Sequence, residues 1–234
     1  MIRSRFQQGL DDLKEKLLAM GGLAESVIEA ASQAYTKQDA KLCQLVFERE
    51  REINEAERRI DEIAVDLLAM QQPMASDLRF ILAVLKINAD LERVGDQAVN
   101  IAQRAVDAMQ KTRPVDIPVD VPRMTSAVSI MIRRALQSFV EGQDDVAEAV
   151  LSMDNVVDRM KDEAFVALVR SMETDPANTR AYLDALLVTR NLERVADHAT
   201  NIAEDVIFWV RGDDVRHHHG RRLEDKRAAD SSKT

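Results

Sequence analysis

The chain has 234 residues, enough for one domain or two small ones, with 46% apolar residues and only 4% aromatic ones. Seven glycines and five prolines leave little material for turn-rich β architecture, and the abundant Ala, Leu, Val, Met, Glu, Arg and Asp favour helices. A formal charge of −9 with no large basic patch excludes duplex nucleic acid as a partner, no apolar run reaches the ~18–20 residues that span a bilayer, and a single cysteine, Cys43, excludes an internal disulfide.

Apolar residues recur at i, i+3, i+4 and i+7 through most of the chain, the pattern of amphipathic helices. The N-terminal MIRSRFQQGLDDLKEKL has no apolar core segment and predicts no secretory signal. It opens a first helix that Gly21-Gly22 is expected to interrupt or kink, and Gln38-Asp39 reads as the turn into a second. Pro73 marks the next turn, with Ser76 or Asp77 as the N-cap of a third helix. The stretch RPVDIPVDVP, with Pro114, Pro118 and Pro122, cannot continue a helix and forms a linker. After it the order recurs. A helix runs from about Arg123 to Val140, a turn falls at Gly142-Gln143, and a helix runs from about Asp145 to Met172. A turn through Thr174 and Pro176 leads to a last helix from about Ala177 to Val210.

The expected fold is therefore all-α: two tandem, pseudo-symmetric three-helix bundles, six helices in all. The expected division is residues 1–112, a Pro-rich linker 113–122, residues 123–212, and a polar tail 213–234. The tail lacks apolar periodicity, so His217, His218 and His219 are expected to belong to a solvated segment rather than to a metal site.

The repeat is plainest in two stretches 101 positions apart, LERVGDQAVNIA from Leu91 and LERVADHATNIA from Leu192. In the first, Glu92, Asp96 and Asn100 stand at i, i+4 and i+8; in the second, Glu193, Asp197 and Asn201 do the same. Each trio is a stripe of oxygen atoms about 6 Å apart on one helix face. Leu91, Val94, Ala98 and Ile101 put that stripe beside the core, where unpaired carboxylates are costly. Arg93 and Arg194 point about 100° away and cannot serve both acids.

The preceding helix of each half adds acid. The second helix carries Glu50, Asn54, Glu57 and Asp61 on one stripe, and the fifth carries Asp154, Asp158 and Asp162. Counting from the turns sets Glu50 and Asn54 level with Glu92 and Asp96, and Asp154 and Asp158 level with Glu193 and Asp197. Glu57 and Asp61 fall nearer the turn and rank behind, with Glu57 still in reach. Carboxylates and an amide converging between two helices suit a hard cation. The expected metal ligands are Glu50, Asn54, Glu57, Glu92 and Asp96 in the first half, and Asp154, Asp158, Glu193 and Asp197 in the second. Divalent or trivalent iron, zinc, manganese, magnesium or calcium all fit such ligands. The competing reading is a solvated acidic face laced with Arg and Lys, the usual fate of a lone E-x-x-x-D; doubling in register favours metal. The Glu-x-x-His spacing of di-iron bundles is absent. His198, where the first signature has Gln97, reads as a surface or packing residue.

LERVGDQAVNIA and LERVADHATNIAE, with QQPMASDLRFIL ahead of the first and the closing IFWVRGDD, resemble the PhoU family over residues 1 to about 215. That resemblance implies two three-helix bundles whose E(D)-x-x-x-D pairs hold metal ions or small metal clusters. It implies a cytoplasmic negative regulator of phosphate-starvation signalling and phosphate uptake. Its implied partners are the ATPase subunit of a phosphate ABC transporter and a PhoR-type sensor histidine kinase. Asn54 stands where a second acid would complete the first site, so that site is expected to bind metal more weakly than the one on Asp154 and Asp158. A homodimer is expected, because an exposed face of a symmetric bundle commonly pairs. The chain shows no nucleophile with an adjacent base, Gly-rich phosphate loop or Cys/His zinc cluster, so no catalytic activity is expected. Two alternatives stand beside this reading. One is a carboxylate-bridged hydrolase or oxidase, which needs an open metal position and a nearby histidine; the other is a structural helical adaptor whose stripes are incidental.

Overall fold

In the computed structural model, residues 2–70, 73–110, 115–213 and 215 are described. The long amphipathic repeats form α1 (Ile2–Lys37), α2 (Ala40–Met70), α3 (Ala75–Met109), α4 (Val121–Glu141), α5 (Asp144–Thr174) and α6 (Thr179–Arg211). One 3₁₀ turn, Pro176–Asn178, precedes α6, and the described residues include no strand.

The breaks between helices have local chemical causes. Gln38 adopts φ 51°, and the Asp39 carboxylate accepts the Lys41 amide at 2.8 Å, which starts α2. The Asp120 carboxylate accepts the Arg123 amide at 3.0 Å and caps α4. Pro122 sits in the first turn of α4, where a missing N–H costs nothing, so that helix starts before the expected end of the linker. Gly142 and Gly212 close α4 and α6 in the left-handed region that favours glycine, at φ 63° and 80°. The structure departs from the sequence expectation at two points. Neither Ser76 nor Asp77 caps α3; both lie inside its first turn, behind Met74, whose side chain makes no capping bond. Nor does Gly21-Gly22 interrupt α1, which is helical throughout. Pro114 and His217–His219 lie outside the described residues.

Gly21 serves packing instead. A Cβ there would collide with the Leu136 Cδ1 of α4, whereas one on Gly22 would meet nothing within 4 Å. The neighbouring glycines should therefore respond oppositely. Gly22→Ala is expected to stabilise the protein by about 0.5–1 kcal/mol through helix propensity, and Gly21→Leu to cost about 1–3 kcal/mol through overpacking. Chemical denaturation of the two variants checks the sign of each.

Within each half the helices run up, down and up, and the halves meet along two seams. α3 packs on α6, and α1 packs on α4. Those four helices form a central block, with α2 flanking one side and α5 the other. α3 and α6 are antiparallel: the Arg79 side chain donates to the Trp209 carbonyl at one end, and Arg104 faces Asp184 at 3.7 Å at the other. The two bundles share one apolar core, which runs without a break from Phe6 in α1 to Ile207 in α6.

Candidate functional site: two acidic helix faces

The stripes emerge where α2 lies along α3 and where α5 lies along α6. Gly95, between Glu92 and Asp96, admits α2 closely: a Cβ there would stand 3.2 Å from the buried Ile53. The second signature has Ala196 at that position.

On the first face the register is fixed by Asn88, whose amide donates to the Glu57 carbonyl at 3.1 Å and to Asp61 at 2.9 Å. One turn further along α3, Glu92 therefore stands level with Glu57. Burial first, then the charges of Asp96, Glu57 and Glu50, raise the Glu92 pKa against the pull of Arg93. Burial, Asp61 and Asp96 raise that of Glu57, with Arg58 opposing. Glu57 is thus central to the face rather than peripheral, and Asp61 is engaged by Asn88. The Asn54 amide donates to Glu50 at 2.6 Å, while its carbonyl oxygen is buried without a partner.

The second face differs. Asp154 is pushed from 3.8 up to about 6 by burial and by Asp158, Asp197 and Glu193. Asp197 is raised by burial, Glu193 and Asp158, while His198 and Lys161 pull it down. Between the helices stands Lys161, which donates to Asp158 at 3.1 Å and to Glu193 at 2.9 Å. Helix periodicity alone gives no sign of this lysine's place. Asp162 is exposed.

The donor sets are hard oxygens and, on the first face, include an orphaned amide oxygen, which is the chemistry a hard cation takes. Among the described residues, however, no three His, Cys, Asp or Glu groups are already gathered around one point. Closing the first face on an ion would require rotation of its glutamate side chains. In the second, the protein's own ammonium already stands between the acids.

Several polar residues of the signatures serve the seam between the halves instead. His198 Nδ1 lies 2.8 Å from the Asp90 carboxylate, and the Asn201 amide donates to the same oxygen at 3.2 Å. Lys86 donates to Asp205 at 2.9 Å. His198 is buried, so it is an interhelical partner and not a surface residue. Gln97, its counterpart in the first signature, is buried as well, and its side-chain oxygen has no partner.

Two copies of one acidic helix pair, joined back to back through their signature helices, define a tandem-repeat helical protein with a carboxylate-rich face on each half. The PhoU domain family model matches residues 17–105 and again 121–206, one copy in each half. A phosphate-specific transport system accessory protein PhoU homolog of Pseudomonas aeruginosa is 42% identical over 216 residues, spanning 92% of this chain and 89% of that one. The accessory protein PhoU of Serratia marcescens is 32% identical over 223 residues, spanning 95% and 91%. A crystal structure of PhoU from Pseudomonas aeruginosa superposes with a TM-score of 0.85 at 41% identity, over 89% of this chain and all of that one. The chain belongs to the PhoU family. A PhoU from Streptococcus pneumoniae, 24% identical with a TM-score of 0.81, shares the fold.

Proposed function

We propose that this chain is a non-catalytic, metal-binding accessory protein of phosphate transport. On this reading it restrains phosphate uptake and phosphate-starvation signalling when phosphate is plentiful. The observation that carries the reading is the family match in both halves, among relatives named as accessory proteins of phosphate-specific transport systems. Its place is the cytoplasm, as a homodimer, between the ATPase subunit of the phosphate ABC transporter and a PhoR-type sensor histidine kinase. No described helix is long and apolar enough to cross a membrane. Clustered carboxylates with a net charge of −9 behind them suit electrostatic docking on a basic or metal-bridged surface. Glu50, Asn54, Glu57, Glu92 and Asp96 would hold a cation on the first face. A bound cation would neutralise the clustered acids and offer a coordination position to a partner's oxygen. The seam speaks against a metalloenzyme, because His198, the one histidine outside the tail, is committed to Asp90.

Deleting the protein is expected to switch on phosphate-starvation genes in rich phosphate. The folded double variant Glu92→Gln with Asp96→Asn should lose about one equivalent of manganese, fail to capture the kinase's cytoplasmic domain and the transporter ATPase, and fail to repress. Normal capture and repression by a metal-depleted, folded variant would make the face structural and place docking elsewhere.

A further inference from the structure

The two faces are not chemically equivalent. A shift of 104 residues lays the start of α2, Ala40, on the start of α5, Asp144. The same shift carries Glu50 to Asp154, Asn54 to Asp158 and Glu57 to Lys161. Where the first half places a carboxylate level with Glu92, the second places an ammonium against Glu193. Lys161 is 31% exposed and bridges both helices of its face through two charge-assisted bonds. The bond to Glu193, with help from Asp158 and against burial, raises its pKa, so it remains charged.

We propose that Lys161 is the resident cation of the second face: its ammonium occupies the place of a metal ion between α5 and α6 and excludes divalent cations there. The first face, on Glu50, Asn54, Glu57, Glu92 and Asp96, is then the one that loads metal, a consequence that rests on the metal reading proposed above. An entering ion at α5–α6 must displace Nζ from Asp158 and Glu193 or endure its positive charge a few ångströms away. On the first face the acids are Glu50, Glu57, Glu92 and Asp96, the corresponding position holds an acid, and the Asn54 carbonyl lacks a partner. This reverses the order expected from Asn54 and Asp158 alone, because the residue three positions further on, Glu57 against Lys161, outweighs that difference.

Manganese titration calorimetry and elemental analysis of the full chain test this, read as differences between variants so that any contribution of the tail cancels. Lys161→Gln is expected to bind about one equivalent more than wild type, with at least about tenfold higher affinity at the second face. That gain should vanish when Asp197→Asn is added, and Lys161→Arg should show none. Lys161→Met, which keeps the aliphatic stem, repeats the measurement if the glutamine impairs folding. The proposal is overturned if neither neutral variant binds more manganese than wild type, or if wild type loses an equivalent on Asp197→Asn. If Lys161→Gln gains an equivalent while Glu92→Gln costs wild type none, Lys161 still excludes metal but the metal reading of the first face fails.

Discussion

Replacing Phe139 by Ala is expected to lower the thermal midpoint by roughly 6–20 °C, in one cooperative transition. Phe139 is fully buried. Its ring stacks on Phe80 at 5.5 Å and packs against Trp209 at 5.4 Å, and Phe80 meets Trp209 edge-on at 5.2 Å. The rings come from α4, α3 and α6, so the cluster closes one end of the molecule where the halves join. Deleting a buried phenylalanine costs about 3–5 kcal/mol through lost transfer energy and the cavity left behind. Each kcal/mol shifts the midpoint of a chain this size by roughly 2–4 °C. Phe80 belongs to the first half and Phe139 and Trp209 to the second, so both halves should weaken together. Trp209 is the single tryptophan, and its fluorescence reports this junction directly. Fluorescence and far-ultraviolet circular dichroism should therefore give coincident unfolding curves. Two separated transitions would show that residues 1–112 and 123–212 fold independently. A loss below about 1 kcal/mol would show that neighbouring side chains refill the cavity.

The helices were legible because their apolar spacing is long and regular, and α4 and α6 end on glycines that the backbone requires there. Gly21-Gly22 misled because a glycine costs a helix only about 1 kcal/mol, which the other residues of a 36-residue helix outweigh. Its real use, the approach of Leu136, involves a helix that begins 100 residues later. The acidic stripes were legible as well, since a 3.6-residue period decides which side chains of one helix share a face. Register between helices was legible only to about one turn. Glu57 consequently ranked behind Glu50, although Asn88 sets it level with Glu92. Lys161 is inconspicuous in the sequence for a different reason. A lysine in a charged run looks like ordinary solvated counter-charge until α6 lays Glu193 against it. The seam left a clearer trace. Asp90, His198 and Asp205 are polar residues at positions of the signature helices that turn out buried, and each faces the other half. Polar residues on the core side of two repeated helices were the available sign that the halves pack on each other.

Lowering the pH from 8 to about 5 is expected to stabilise the second face, and Asp154→Asn should abolish most of that gain. The sign follows from the direction of the shift. Burial and the neighbouring charges of Asp158, Asp197 and Glu193 raise the Asp154 carboxyl from 3.8 to about 6 in the folded chain. Between those values the folded state binds the proton that the unfolded state has released, so stability falls as pH rises through this window. The contribution is complete below about pH 4 and gone by about pH 7. A shift of about two units corresponds to roughly 3 kcal/mol, and solvent screening at a partly exposed face reduces it to about 1–2 kcal/mol, or about 3–6 °C. Lys161 does not remove the effect, because its hydrogen bonds go to Asp158 and Glu193 and it acts on Asp154 only through its charge. The comparison is thermal unfolding of wild type and Asp154→Asn in chelator at pH 8, 6.5 and 5. Groups away from this face titrate alike in both proteins, so the difference isolates Asp154 together with the acids coupled to it. The asparagine variant should be the more stable at pH 8, where wild type carries a charge that its neighbours repel. The gap should narrow to about half at pH 5, where the folded wild type is largely protonated but the unfolded chain is not, and close only below about pH 4. A wild type that is the more stable at pH 8 would mean that the ionised Asp154 is itself paired with a cation, and that Lys161 serves Asp154 as well as Asp158 and Glu193.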